Sequence, residues 1–287
     1  MAMQIRLNQV SADYQLGPVH SPRVLQDVSL QIAPGTFTAV VGPTGAGKSS
    51  LLKVLNGLLL PKSGWAEVGD IKIDSKTSKK ALKAVRKHIG MVFQFPESQL
   101  FAETVEQDIS FGPLNFGASP EAAHDLAIKM IRQVGLDESI LQQSPFSLSG
   151  GQKRRVAIAG VLAQEPEVIA LDEPTAGLDP SGKAELMSLF KQWNKCKRLT
   201  VILVTHDMET AARYADDAVV MDQGKVVYHG SVRSLFADSE KLNRWQLDVP
   251  EARRFQLAFE TYSGIRLPNV CLTEEELAEA LIGVGRV

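Results

Sequence analysis

Gly42-Pro43-Thr44-Gly45-Ala46-Gly47-Lys48-Ser49-Ser50 is the stretch that decides the fold. Gly42 to Ser49 carries the spacing G-x-x-x-x-G-K-[ST]. The apolar run Phe37 to Val41 precedes it, and Leu51, Leu52, Val54, Leu55 and Leu58 follow at helical spacing. Strand, glycine loop, helix is the context in which this spacing means a phosphate cradle. Glycines let backbone N–H groups turn inward onto phosphate oxygens, and the helix that follows adds its positive end. Lys48 is then placed for phosphate charge, and Ser49 for Mg²⁺.

Outward from the loop, Val168 to Leu171 is a short apolar strand that runs into Asp172 and Glu173. It and Thr200 to Val204 are apolar throughout, as strands of a parallel sheet buried on both faces are. A carboxylate at the C-terminal end of such a strand reaches the ligand crevice. Asp172 is therefore expected in the Mg²⁺ shell and Glu173 as general base toward an attacking water. Ile5 to Tyr14, Val24 to Ile32, Trp65 to Ile73 and Ile89 to Gln94 read as further strands, with a Gly/Pro/His/Ser loop at Gly17 to Pro22. Pro96 to Leu162 reads as mostly helical, with breaks at Gly112-Pro113, Gly117 to Pro120 and Ser144-Pro145. Val219 to Met221 and Lys225 to Tyr228 read as a hairpin around Gln223-Gly224, and Lys76 to Lys87 as a solvated basic stretch, helix or loop.

The third motif is Leu148-Ser149-Gly150-Gly151-Gln152, ahead of the helical pattern Lys153 to Leu162. It reads as a second helix N-terminus suited to an anion. Lys153, Arg154 and Arg155 read as a solvated face of that helix. With this pentapeptide between the glycine loop and Asp172, the chain resembles the ATP-binding cassette ATPases. The resemblance covers about residues 4–235. It implies a P-loop NTPase α/β fold with an N-terminal antiparallel β region, a helical subdomain at about 96–162 and a C-terminal extension. It implies ATP and Mg²⁺, held by Gly42 to Ser50 of one subunit and Ser149 to Gln152 of another. It also implies roles for Gln94 (γ-phosphate or Mg²⁺ sensing and the link to the membrane partner), for Asp179 in the inter-subunit loop Ala176 to Asp179, and for His206 as a γ-phosphate switch. For Tyr14 two readings stand open, adenine stacking and a core tyrosine.

Phe93-Gln-Phe-Pro-Glu-Ser-Gln-Leu-Phe101, then Thr104-Val105, Asp108-Ile109 and Phe111-Gly112-Pro113, resemble the ATPases of energy-coupling factor transporters. The tail, with Leu247 to Val249, Pro250, Leu267-Pro268 and Leu272 to Leu277, resembles the C-terminal extension of that group and is closer to the second of its two ATPase types. This implies an importer of vitamins or other micronutrients, at the cytoplasmic face of the cell membrane. The partners would be a related second ATPase, a transmembrane coupling subunit and a substrate-binding membrane subunit. ATPases of other importers or exporters are the alternative, or a soluble cassette ATPase of DNA repair or translation, although no second cassette, long coiled-coil insertion or zinc module fits in the chain. Residues 1–235 are expected as the nucleotide-binding domain and 236–287 as an extension for subunit association. In that extension Phe255, Leu257, Ala258, Phe259 and Tyr262 lie at mostly helical spacing, and Thr273 with Glu276 reads as a capping box. Docking on its own cassette and joining two ATPases both stand open for this tail.

Composition agrees. The 287 residues carry a net charge of −2 with 22% charged residues, so no strong field points to nucleic acid. The two cysteines, Cys196 and Cys271, are far apart in sequence, which argues against a disulfide framework and for a reducing cytosol. No signal-peptide core and no membrane-length apolar run is seen.

Overall fold

Alternate residues of the apolar strands face opposite ways, and this alternation builds two cores on one sheet. The computed structural model describes residues 3–14 and 24–284; counts and absences below concern those residues. The expected loop Gly17 to Pro22 lies outside them. In chain order the elements are β1 (Ile5–Ala12), β2 (Leu25–Ile32), β3 (Phe37–Val41), α1 (Lys48–Leu55), β4 (Ser63–Val68), β5 (Ile71–Ile73), α2 (Lys79–His88) and β6 (Ile89–Val92). A helical block follows, of α3 (Val105–Asn115), α4 (Pro120–Gln133) and α5 (Gly150–Leu162). Then come β7 (Val168–Asp172), α6 (Pro180–Lys197), β8 (Thr200–Val204), α7 (Met208–Tyr214), β9 (Asp217–Asp222) and β10 (Lys225–Ser231). The chain closes with α8 (Val232–Ala237), α9 (Ser239–Arg244), α10 (Glu251–Ser263) and α11 (Glu274–Val284).

The main sheet has the order β10-β9-β3-β8-β7-β6, parallel except for the edge hairpin β9–β10. Phe37, Ala39, Val41, Ile169, Leu171, Val201 and Leu203 face the side covered by α3 to α8. Val40, Val168, Ala170, Ile202 and Val204 face α1 and the smaller antiparallel sheet β2-β1-β4-β5. In that smaller sheet a register shift follows Asn8 of β1, where Gln9 adopts a positive φ. Gly64 accommodates the bulge, since a Cβ there would stand 2.2 Å from the Gln9 carbonyl oxygen.

Four expectations change in detail. The Trp65 to Ile73 region is two strands, β4 and β5, rather than one. Gly112-Pro113 does not break the helix but lies inside α3, two residues from its end. There Pro113 forfeits only its own intrahelical bond, and Gly112 lets α3 approach Gln164, whose Cγ would lie 2.7 Å from an added Cβ. The basic stretch agrees with its reading as a solvated segment: of helix or loop it is a helix, α2, capped by Ser78 with only Val85 buried. In the tail, α10 buries Ala252, Arg253 and Gln256, while Phe255 and Tyr262 face outward, Tyr262 at 92% exposure. The apolar residues there do not form one buried face: Phe259 packs against a small core of Ala252, Leu267, Cys271 and Leu277, and Gln256 pins α10 to the segment before α11. Cys271 N–H donates to Gln256 Oε1 (2.8 Å), and Gln256 Nε2 donates to the Asn269 carbonyl (2.7 Å). Thr273 does accept from the Glu276 N–H (3.3 Å), but the Glu276 carboxylate turns to the Leu272 N–H and to Arg233 instead of completing the box.

Candidate nucleotide site

Four neighbouring parallel strands end on one edge, and each delivers part of the site: β3 the glycine loop, β8 His206, β7 Asp172 and Glu173, β6 Gln94. Ligands of open α/β sheets bind at this edge. Gly42 (φ +141°) has no room for a side chain, since a Cβ would stand 2.0 Å from the Met221 carbonyl oxygen. Gly47 (φ +101°) begins α1 with no side-chain cap, so the first N–H groups of α1 are not spent on a capping side chain. Thr44 and Gly45 form the outer rim of the loop, and no atom lies within 4 Å of a Cβ built on Gly45. Lys48 is 8% exposed, and its Nζ donates to the carbonyls of Gly42 (2.7 Å) and Pro43 (2.9 Å). Burial lowers the Lys48 pKa, against the opposing pull of Glu173 and Asp172.

Ser49 Oγ donates to Asp172 Oδ1 at 2.9 Å. Burial pushes the Asp172 carboxyl up; the Ser49 hydroxyl opposes this and the charge of Glu173 adds to it. Glu173 holds a positive φ of 49°, uncommon for a residue with a Cβ, and its N–H donates to the Val204 carbonyl (3.0 Å). That backbone fixes where the side chain starts. Glu173 Oε2 accepts from Gln94 Nε2 at 3.3 Å and lies 3.3 Å from His206 Nδ1. The three side chains therefore meet at one carboxylate oxygen, with the His206 side chain 73% exposed. Asp207 caps α7 directly after it. Burial raises the Asp207 carboxyl, but the Thr210 bonds and Lys183 outweigh that and hold it below the usual range.

The N-terminus of α5, expected as a second anion site, differs from this cluster in character. Ser149 is exposed and caps α5 in a reciprocal box: its Oγ accepts from Gln152 N–H (3.3 Å) and its N–H donates to Gln152 Oε1 (3.0 Å). No atom lies within 4 Å of a Cβ built on Gly150 or Gly151, so the surface there is open. Asp179, exposed, caps α6 through Gly182 N–H (3.1 Å). Tyr14 lies against α1, its hydroxyl 3.2 Å from Ser50 Oγ and accepting from Lys53 Nζ at 3.2 Å.

Residues 25–176 match the family described as "ABC transporter". The chain is 51% identical, over 97% of its length and 96% of the relative's, to the energy-coupling factor transporter ATP-binding protein EcfA2 of Geobacillus kaustophilus. It is 50% identical to the protein of the same description from Enterococcus faecalis, over 98% and 96% of the two chains. The chain belongs to the ATP-binding proteins of energy-coupling factor transporters. It is thus an ABC importer ATPase that binds ATP. Among solved structures, cbiO1 of Clostridium perfringens, part of the ABC transporter complex cbiONQ, superposes with a TM-score of 0.74 at 33% identity, covering 92% of this chain and all of that one. A post-hydrolysis dimer of an ATP-binding cassette bound to ADP and Pi gives 0.71 at 31% identity, over 80% and 99%.

For this importer ATPase one sequence expectation is overturned at the site. Arg154 is not on a solvated face; it is 5% exposed. It forks onto Glu97 and also donates to the carbonyls of Pro174 and Ala176. The signal was present: Arg154, Ile158 and Leu162 share one face at a spacing of four, and the latter two are core. Arg155 is half-buried and paired with Glu185.

Proposed function

We propose that the chain hydrolyses ATP at sites shared between two cassettes. Gly42 to Ser50 of one hold the nucleotide, and Ser149 to Gln152 of the other close on its γ-phosphate. The observation that carries this is the meeting of Gln94, Glu173 and His206 at one carboxylate oxygen, beside a buried lysine, while the second anion-binding helix end faces outward. Lys48 exchanges its two carbonyl partners for phosphate oxygens. Glu173 accepts the proton of the attacking water, and Gln94 and His206, already at its oxygen, position that water and report the γ-phosphate. Tyr14 stacks on adenine.

Mg²⁺ fits the site because two hard oxygen donors, the Ser49 hydroxyl and the Asp172 carboxylate, are already held together at the loop. With Gln94 they would hold the ion, which supplies charge neutralisation to the phosphates. Among the described residues no cluster of three or more His, Cys, Asp or Glu offers an alternative.

Phe95, next to Gln94 in sequence, is exposed, and so are Phe101 and Phe111, whose rings meet edge-on at 4.9 Å. No helix among the described residues is long and apolar enough to cross a membrane. These aromatics are where a transmembrane coupling subunit docks the chain at the cytoplasmic face, with a separate membrane subunit binding the vitamin or other micronutrient. The second cassette is a related ATPase, and the outward Phe255 and Tyr262 of the tail contribute to that pairing.

Glu173→Gln tests the reading. It is expected to keep ATP binding and to slow turnover of the assembled transporter by about 10²–10⁴-fold. Turnover equal to wild type, with the partner's own site disabled, would remove Glu173 from the chemistry.

A further inference from the structure

Gln94 and Glu173 lie on different strands, and Ser149 begins a helix that serves the opposite subunit. One buried side chain touches the segments carrying all three. Arg154 sits five residues into the helix that starts after Ser149. Its Nε donates to Glu97 Oε2 (3.0 Å) and its Nη2 to Glu97 Oε1 (2.8 Å). Glu97 is three residues past Gln94, in the 3₁₀ turn Pro96–Gln99. Arg154 Nη1 donates to the carbonyls of Pro174 (3.3 Å) and Ala176 (2.8 Å), in the loop directly after Glu173 that leads to Asp179. Four of the five guanidinium protons are thereby directed at two other segments.

A buried ion pair is a weak source of net stability, because desolvation offsets the attraction. What the planar fork supplies is direction: a rigid, multi-point joint that a flexible ammonium does not reproduce. Burial alone would raise the Glu97 carboxyl, yet the Arg154 bonds hold it below the usual range, so the pair is ionised at neutral pH.

We propose that Arg154 is a positioning residue that locks the Gln94 turn, the loop after Glu173 and the signature helix into one moving unit. This rests on the shared-site reading above. Through these contacts Arg154 sets where Gln94 and Glu173 stand at this chain's own nucleotide.

The test uses the assembled transporter, with the catalytic carboxylate of the partner ATPase disabled so that only the Glu173 site reports. Glu97→Gln, Arg154→Lys, the double variant and Glu173→Gln are compared, with ATP affinity measured on each full-length chain. Glu97→Gln and Arg154→Lys are expected to bind ATP within about two-fold of wild type, since neither touches the glycine loop, while turnover falls about 10–100-fold, the range for misplaced catalytic geometry. The double variant is expected to be no slower than the slower single one, because both remove the same joint. If Arg154→Lys fails to fold, Glu97→Gln carries the test, since it leaves both carbonyl contacts in place. Wild-type turnover in the single variants, additive losses in the double one, or loss of ATP affinity in step with turnover would each overturn the proposal. If Glu173→Gln is slow while the Glu97 and Arg154 variants are normal, only the joint is wrong. A normal Glu173→Gln would overturn the shared-site reading itself.

Discussion

Two helix N-termini in this chain are suited to anions, and they are finished in opposite ways. The first, α1, starts from a left-handed glycine with no capping side chain, under a lysine that is buried and folded onto its own loop. The second, α5, is exposed and closed on itself by the Ser149–Gln152 box. On the proposed shared-site reading, the first end holds the phosphates of the nucleotide bound by its own chain. The second, its donors satisfied locally by the Ser149–Gln152 box, meets the nucleotide held by the other subunit.

The largest expected effect comes from breaking the first end. Lys48→Ala removes the main side-chain phosphate charge, and productive ATP binding or turnover should be abolished even with the second end intact. ATP binding to the isolated chain and turnover of the assembled transporter check this; wild-type values in both would withdraw the glycine loop from the site.

Breaking the second end should leave binding by the chain alone unchanged. Ser149→Ala loses one cap, which costs about 1 kcal/mol of stability, and on the shared-site reading removes a hydroxyl that meets the nucleotide held by the partner. Nucleotide affinity of the isolated chain is expected to match wild type while turnover at the partner's site falls. Reduced affinity in the isolated chain would mean that the two ends belong to one site.

The smallest effect on the catalytic ends should come from shortening the tail. A chain ending at Ala237 loses α9 to α11, including Leu242, Leu247 and Leu272, which pack into the main core, and the pairs Glu275–Arg213 and Glu276–Arg233. Nucleotide binding should persist, while nucleotide-free association with the partner ATPase is lost. Undiminished co-elution of a folded truncated chain would leave the tail with only its own cassette to hold.

The loops are legible in the sequence because their chemistry is written in backbone requirements. Gly42 and Gly47 stand where no side chain fits, and Asp172 and Glu173 end a strand whose apolar run announces its burial. The hairpin at Gln223-Gly224 is legible for the same reason, both residues taking the left-handed conformation that such turns need. Side chains that act across the fold are not. Arg154 sits in a run of three basic residues, and composition assigns such a run to solvent; its spacing of four from Ile158 and Leu162 marks the interior face, but its partners at 97, 174 and 176, distant in sequence, are not legible there. In α10 the aromatic residues suggest the buried face, yet Gln256 is buried and Tyr262 exposed, because long-range bonds to residues 269 and 271 decide which face docks. Glu276 likewise prefers Arg233 over the local box.

The division of the site between two chains is tested most directly by ATP turnover per chain as a function of concentration, with and without the partner ATPase. The expected result is little turnover from the dilute chain alone, rising to a plateau as partner is added, because on the shared-site reading Glu173 works only with a signature from the other subunit. Full turnover from a dilute, monomeric chain, unchanged by concentration or partner, would contradict it.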